Sequence, residues 1–192
     1  MTVLADLHTH STASDGQYRP AELVRMARDR GIEVLALTDH DTLAGLDEAV
    51  LARKELGVRV LRGVELSARE RRAFHILSYG FDGQAPQLQA LCRDVRQRRE
   101  HRGLEIARYL AVKGAPVAIS EVQELAGYGL CAIECFYPRY TDRQAALYRR
   151  LAQRFGLYYT GGSDFHGERI KPEIQLKAVA LELPWLPAQE EI

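Results

Sequence analysis

Apolar runs and amphipathic stretches alternate along most of this chain. Val3 to Leu7 is a short apolar run that leads into His-Thr-His, the pattern of a buried strand opening into a polar loop. Pro20 to Arg30 has helical spacing, with Leu23, Met26 and Ala27 on one face and Gly31 as the stop. Ile32 to Thr38 predicts a second strand, Leu43 to Leu56 a second helix closed by Gly57, Val58 to Leu66 a third strand and Ala73 to Tyr79 a fourth. A long helical stretch runs from about Pro86 to Lys113, and a short amphipathic helix starts near Ser120 with Glu121 and Glu124 in its first turns. Strands at Cys131 to Phe136 and Leu157 to Thr160 flank a helix over Asp142 to Phe155, and Lys177 to Leu183 reads as a last strand. Strands alternating with helices predict parallel βαβ units in an α/β fold. With 192 residues, one domain over 1–192 suffices, long enough to bury a sizeable core, and the acidic end Ala-Gln-Glu-Glu-Ile reads as a frayed tail.

Composition narrows the partners. The formal net charge is +0, so no global basic field draws in long nucleic acid or an anionic membrane. A small anionic substrate remains compatible, because bound cations supply their own positive charge. No run reaches the ~18 apolar residues of a membrane span, and the first residues carry no basic leader, so a cytoplasmic location is expected. The cysteines, Cys92, Cys131 and Cys135, are too few for a disulfide framework. Cys131 and Cys135 share the segment Cys-Ala-Ile-Glu-Cys, whose spacing is unlike a zinc ribbon, and both are expected to be small buried core residues on one side of a strand.

Candidate chemistry sits where the strands end. His8 and His10 follow the first strand, Asp15 lies in the next loop before Gly16, and Asp39 and His40 follow the second strand. Glu65 is near the end of the third, His75 lies in the fourth, and Asp164 and His166 follow the strand that finishes at Thr160. Taken singly each has an ordinary reading: Asp15-Gly16 a turn, Glu65 a salt-bridged carboxylate, His75 a core histidine, Asp164 and His166 a helix cap. Together they place five of the six histidines at strand ends, which in a βα barrel all open on one face. Imidazole and carboxylate are ligands for zinc, manganese or iron, and two histidines at i and i+2 of an extended backbone point the same way.

The segments Asp-Leu-His-Thr-His-Ser-Thr-Ala-Ser-Asp-Gly, Leu-Thr-Asp-His-Asp-Thr, Gly-Val-Glu-Leu-Ser, Phe-His-Ile-Leu-Ser-Tyr and Thr-Gly-Gly-Ser-Asp-Phe-His-Gly resemble the successive motifs of the PHP family, named for its polymerase and histidinol phosphatase members. The likeness spans nearly the whole chain. It implies a distorted (β/α)7 barrel with two or three divalent ions (zinc, manganese or iron). Its ligands would be His8, His10, Asp15, His40, Glu65, His75, Asp164 and His166, with Glu65 as the bridge. Within the family the chain is most similar to phosphoesterases acting on nucleotides. Two departures matter. No Ala-His-Pro motif is present, so one ligand and one strand of the family pattern are missing, and the helical insert before that strand is absent. A barrel short of a strand has an edge to cover, and a homo-oligomer is one way to cover it.

The long helix carries Arg93, Arg96, Arg98, Arg99 and Arg102. Leu88, Leu91 and Val95 set an inward stripe that Ile106 and Leu110 resume, and between them it passes through Arg98 or Arg99 and then Arg102. Arginine on a buried stripe needs an anionic partner, and guanidinium grips phosphate in a bidentate way, so Arg99 and Arg102 are candidate substrate contacts. His101 lies off that stripe and is expected to be exposed. The activity expected is hydrolysis of a phosphate ester of a small nucleotide or metabolite by a metal-activated hydroxide, with His8, Asp15 and His166 in the catalytic set and Asp15 or His166 as proton donor. Lys171 is either a further phosphate contact or a surface charge. The competing readings are an exonuclease acting on short oligonucleotides, a degenerate PHP domain kept for binding or assembly, and an amidohydrolase barrel, which also begins with His-x-His.

Overall fold

A computed structural model describes residues 2–69, 73–95, 131–184 and 186. The first strand, β1 (Thr2–Thr9), is exposed at its start and wholly buried from Ala5 onward, and it carries His8 near its end. Helix α1 (Pro20–Asp29) starts with proline at its first position, where no amide donor is lost, and the Glu22 carboxylate accepts the Arg19 backbone N–H at 2.8 Å. Leu23, Val24 and Ala27 form its buried face. Strand β2 (Val34–Leu37) is buried throughout, as expected of a strand covered on both faces. Helix α2 spans Leu46–Leu56. It therefore starts later than the expected Leu43, because residues 43–45 form a turn and Gly45 takes the N-cap position. Gly57 ends it in the left-handed conformation, at φ 70°.

Strand β3 (Arg59–Arg69) is longer than the apolar pattern suggested, because beyond Leu66 it continues as one arm of an antiparallel pair with β4 (Ala73–Tyr79). The second half contains β5 (Ala132–Phe136), helix α3 (Asp142–Phe155), β6 (Tyr158–Gly161) and β7 (Val179–Glu182). Thr141 caps α3 by accepting the Gln144 amide while the Gln144 side chain accepts the Thr141 N–H.

The main sheet runs β4-β3-β2-β1-β7, and β5-β6 forms a separate pair. β1–β2, β2–β3 and β5–β6 are parallel, as alternating elements imply, but β3–β4 and β1–β7 are antiparallel. The parallel pairs are those expected where a helix joins the strands; β4 follows β3 with no helix between them, which leaves only a hairpin return. The result is a curled half-barrel. Among the described residues β4 pairs only with β3, and β5 only with β6, so the strand arc is open there.

Two layers of core hold the sheet. α1 and α2 contribute Leu23, Val24 and Leu46 to a cluster with Leu35, Leu37, Val60, Phe165 and Leu176, while Ala5, Leu7, Val34, Ala36, Leu61 and Leu181 pack on the other side. The β5-β6 unit has its own cluster around Cys135, Tyr148 and Leu151. Cys135 is buried as expected, but Cys131 is exposed, because it stands one residue before β5 begins. Residues 86–95 are helical, and within them Leu88, Cys92 and Val95 turn inward while Leu91 is exposed, so the inward stripe passes through Cys92 rather than Leu91. The remainder of the stretch expected to be helical, with Arg99, His101 and Arg102, and the helix expected near Ser120 lie outside the described residues.

The segment after β6 closes against the end of β1. The Asp164 N–H donates to the His8 carbonyl at 2.8 Å, and the His10 N–H donates to the Phe165 carbonyl at 3.0 Å. Gly162 makes this approach possible: a Cβ there would lie 2.4 Å from both the backbone N and the Cβ of His8. Gly162→Ala is expected to lower the unfolding free energy by about 1–3 kcal/mol, the usual effect of forcing atoms into a packed site, measured by urea denaturation. Unchanged stability would show that the two segments are not in this contact.

Candidate metal centre

Glu65 is the centre of the cluster. It is buried in β3, and its Oε2 lies 3.0 Å from His8 Nε2, 3.0 Å from His10 Nε2 and 3.4 Å from His40 Nδ1. Its Oε1 is bonded to His75 Nδ1. Four imidazoles, two from the end of β1, one from the loop after β2 and one from β4, therefore meet one carboxylate. Burial alone would push the Glu65 carboxyl up, but the surrounding His10, His75 and His8 outweigh it and hold it well below the usual carboxylate range.

The remaining expected residues join the same site. Asp15 approaches His10 at 3.6 Å, His166 at 3.4 Å and His40 at 3.9 Å, and its side chain is half-exposed at the rim. Asp164 Oδ1 lies 3.6 Å from His8 Nε2, 3.6 Å from His10 Nε2 and 3.4 Å from His166 Nδ1. The rings of His10 and His166 stack at 4.0 Å between centroids, and those of His10 and His40 are 4.6 Å apart. All eight residues singled out in the sequence thus converge. Among the described histidines His75 is the most loosely enclosed, with 48% of its side chain exposed.

Local structure explains how they are aimed. Asp164 has φ +56°, a left-handed conformation that a non-glycine residue seldom adopts, and this turn swings its carboxylate back over the end of β1. Asp39 fixes the loop after His10: its Oδ1 accepts the Ser11 N–H at 2.7 Å and the Ser14 hydroxyl at 2.6 Å, and its Oδ2 accepts the Ser11 hydroxyl at 2.7 Å. Asp41, also left-handed at φ +53°, receives the Ser67 N–H and hydroxyl, each at 2.8 Å, and so links the loop after β2 to β3. Asp6 is fully buried beneath the site, where it accepts the Ser163 N–H at 2.8 Å and burial raises its pKa to about 6.

Several of these groups were not singled out in the sequence. Glu134 on β5 bonds His8 Nδ1 at 3.0 Å. Tyr137 and Lys171 both donate to Asp164 Oδ2 at 2.8 Å, so Lys171 is neither a bare surface charge nor free for phosphate in this arrangement. A signal for Glu134 existed: a carboxylate inside the apolar run Cys-Ala-Ile-Glu-Cys-Phe needs a buried partner.

The donor set fits divalent cations. Ligand atoms of His10, Asp15, His40 and His166 lie within 4.8 Å of one another, as do those of His8, His10 and Glu65, and of His40, Glu65 and His75. His10 is the sharpest indication. Both of its ring nitrogens are fully buried and neither has hydrogen-bond geometry to any partner, although Nε2 stands 3.0 Å from Glu65. A buried polar atom left without a hydrogen bond costs about 1–3 kcal/mol, which a coordinated ion would offset. Burial also keeps His10 toward its neutral form, the form that binds metal, with Glu65 opposing that shift and His166 and His8 reinforcing it.

Comparison with known proteins agrees with this geometry. Residues 6–126 match the PHP domain. A 5'-3' exoribonuclease of Haemophilus influenzae is 46% identical over 127 residues, which cover 66% of this chain and 46% of that protein. A 3',5'-nucleoside bisphosphate phosphatase of Chromobacterium violaceum is 39% identical over 110 residues, 57% of this chain and 39% of that protein. The chain therefore spans less than half the length of these two relatives. A Bifidobacterium adolescentis structure assigned as a metal-dependent phosphoesterase superposes with a TM-score of 0.82 over 93% of this chain and 92% of that one, at 20% identity, which establishes the shared fold. By its motifs, its half-barrel and this match over more than half its length, the chain belongs to the PHP domain family.

Proposed function

We propose that this protein is a metal-dependent phosphoesterase whose cations are held by His8, His10, Asp15, His40, Glu65, His75, Asp164 and His166. The observation that carries this reading is the buried convergence of these side chains on Glu65, with the His10 nitrogens left without hydrogen-bond partners. The three overlapping ligand groups accommodate two or three ions, and their imidazole and carboxylate donors suit zinc, manganese or iron. Divalent cations there supply Lewis acidity toward phosphoryl oxygens and raise the availability of hydroxide at neutral pH.

The chain's own groups set the orientation of the site. His166 Nδ1 faces the Asp164 carbonyl at 2.9 Å, so Nδ1 carries the proton and donates it, and the Nε2 lone pair points toward Asp15 and the centre. That arrangement suits His166 as a ligand better than as a proton donor. Asp15, half-exposed at the rim, is the better placed of the two to meet a leaving group.

The substrate class we favour is a small phosphorylated nucleotide or metabolite. The neutral net charge and the name of the Chromobacterium violaceum relative support it. Arg99 and Arg102 are proposed as its phosphate contacts, on the phase of the helical pattern alone. A second reading, attack on short oligonucleotides from the 5' end, is favoured by the 46% identity to the Haemophilus influenzae protein. Comparing turnover of a nucleoside 3',5'-bisphosphate with that of a short RNA separates the two.

Binding of Zn2+ or Mn2+ is expected to raise the melting temperature by mass action, and chelation to reverse the rise. A melting temperature unmoved by either treatment contradicts the metal reading. His10→Ala and Glu65→Gln are each expected to lower phosphatase turnover by at least about 100-fold, because removing one group of an electrostatic site typically costs that much. Wild-type rates in either variant would place the chemistry elsewhere.

A further inference from the structure

His8 stands between two carboxylates. Its Nε2 faces the cluster, 3.0 Å from Glu65 Oε2 and 3.6 Å from Asp164 Oδ1, and its Nδ1 faces away from it, 3.0 Å from Glu134 Oε1. Asp164 is held in the same fashion. Its Oδ1 faces His8, His10 and His166, and its Oδ2 is tied from behind by the Tyr137 hydroxyl and the Lys171 ammonium, both at 2.8 Å. In both residues one atom is presented to the centre and the other is occupied by a group outside it. Glu134 lies within β5 and Tyr137 immediately follows it, so one short stretch of the two-stranded sheet reaches the rear of two of the proposed ligands, His8 on β1 of the main sheet and Asp164 in the segment after β6.

We propose that Glu134 is a positioning residue: its carboxylate accepts the Nδ1–H of His8 and so turns the Nε2 lone pair toward the carboxylates of Glu65 and Asp164, while Tyr137 and Lys171 hold Asp164 in the matching way. This rests on the metal reading given above. The chemistry is specific. A neutral imidazole carries one proton on two nitrogens, so an acceptor at Nδ1 decides that Nε2 is the free lone pair. A carboxylate in that place also makes the ring more basic and fixes its plane. Only 17% of the Glu134 side chain is exposed, and a carboxylate so enclosed needs a hydrogen-bonded partner, which the His8 ring supplies. The half-barrel and the β5-β6 unit are thereby coupled at the site, because strand β1 supplies His8 and strand β5 supplies its partner.

The test is zinc affinity, read by competition with a chromophoric chelator, beside the melting temperature of the metal-free protein. Glu134→Met keeps the side-chain length and removes the acceptor, and it is expected to weaken zinc binding about 10–100-fold, the usual loss for a group supporting a metal-bound histidine. Glu134→Gln retains an amide oxygen that accepts the same proton and is expected to recover part of that affinity. The metal-free melting temperatures should not follow this order. Zinc affinity in Glu134→Met equal to wild type overturns the proposal. Should Glu134→Met fail to fold, Glu134→Gln and Tyr137→Phe decide it, and unchanged affinity in both overturns it. A wild-type protein that takes up no zinc overturns both this proposal and the metal reading beneath it. Zinc uptake by wild type with unchanged affinity in the variants removes only the positioning role.

Discussion

One buried carboxylate organises the functional end of this protein. Glu65, on β3, sits where the end of β1, the loop after β2 and strand β4 converge, and each of these three contributes at least one imidazole to it. So many titratable groups in a shared, mostly buried space would be costly unless they pair or bind cations. The hydrogen bonds to Glu65 meet part of that need. The two unsatisfied nitrogens of His10 show where it is not met by protein atoms alone.

The rest of the fold serves that geometry. Parallel pairing of β1, β2 and β3 brings the ends of those strands to one side, and the antiparallel return of β4 carries His75 back to Glu65. The helices on the outer face bury the apolar residues that keep these strands in register. Outside the ligand set, acidic groups fix the loops: Asp39 anchors Ser11 and Ser14, Asp41 anchors Ser67, and Asp6 anchors Ser163. The left-handed backbones of Asp41 and Asp164 are strained conformations kept by those contacts and by the close approach at Gly162.

Much of this was legible in the sequence because its signals are local or repetitive. Strand and helix periodicity marked most elements, and five histidines with three carboxylates, placed in or after successive apolar runs, marked the eight residues that converge. What was not legible depends on long-range pairing. Nothing local says that β3 extends beyond Leu66 into an antiparallel hairpin, or that β5 and β6 leave the main sheet. Leu91 and Cys92 are adjacent and similarly apolar, so the pattern could not say which of them turns inward. Glu134 stands out as a carboxylate in an apolar run, but nothing local names its partner, because His8 is 126 positions away in the chain. Lys171 similarly reads as surface charge until the turn at Asp164 brings a carboxylate within 2.8 Å.

The most direct measurement is anomalous X-ray diffraction from crystals grown with zinc or manganese, collected on both sides of the metal's absorption edge. Peaks between Glu65 Oε2 and the nitrogens of His8 and His10, and beside Asp15, His40 and His166, are the expected result. Maps without an anomalous peak at Glu65, from crystals whose protein still hydrolyses phosphate esters, would contradict the assignment of this cluster as the metal centre.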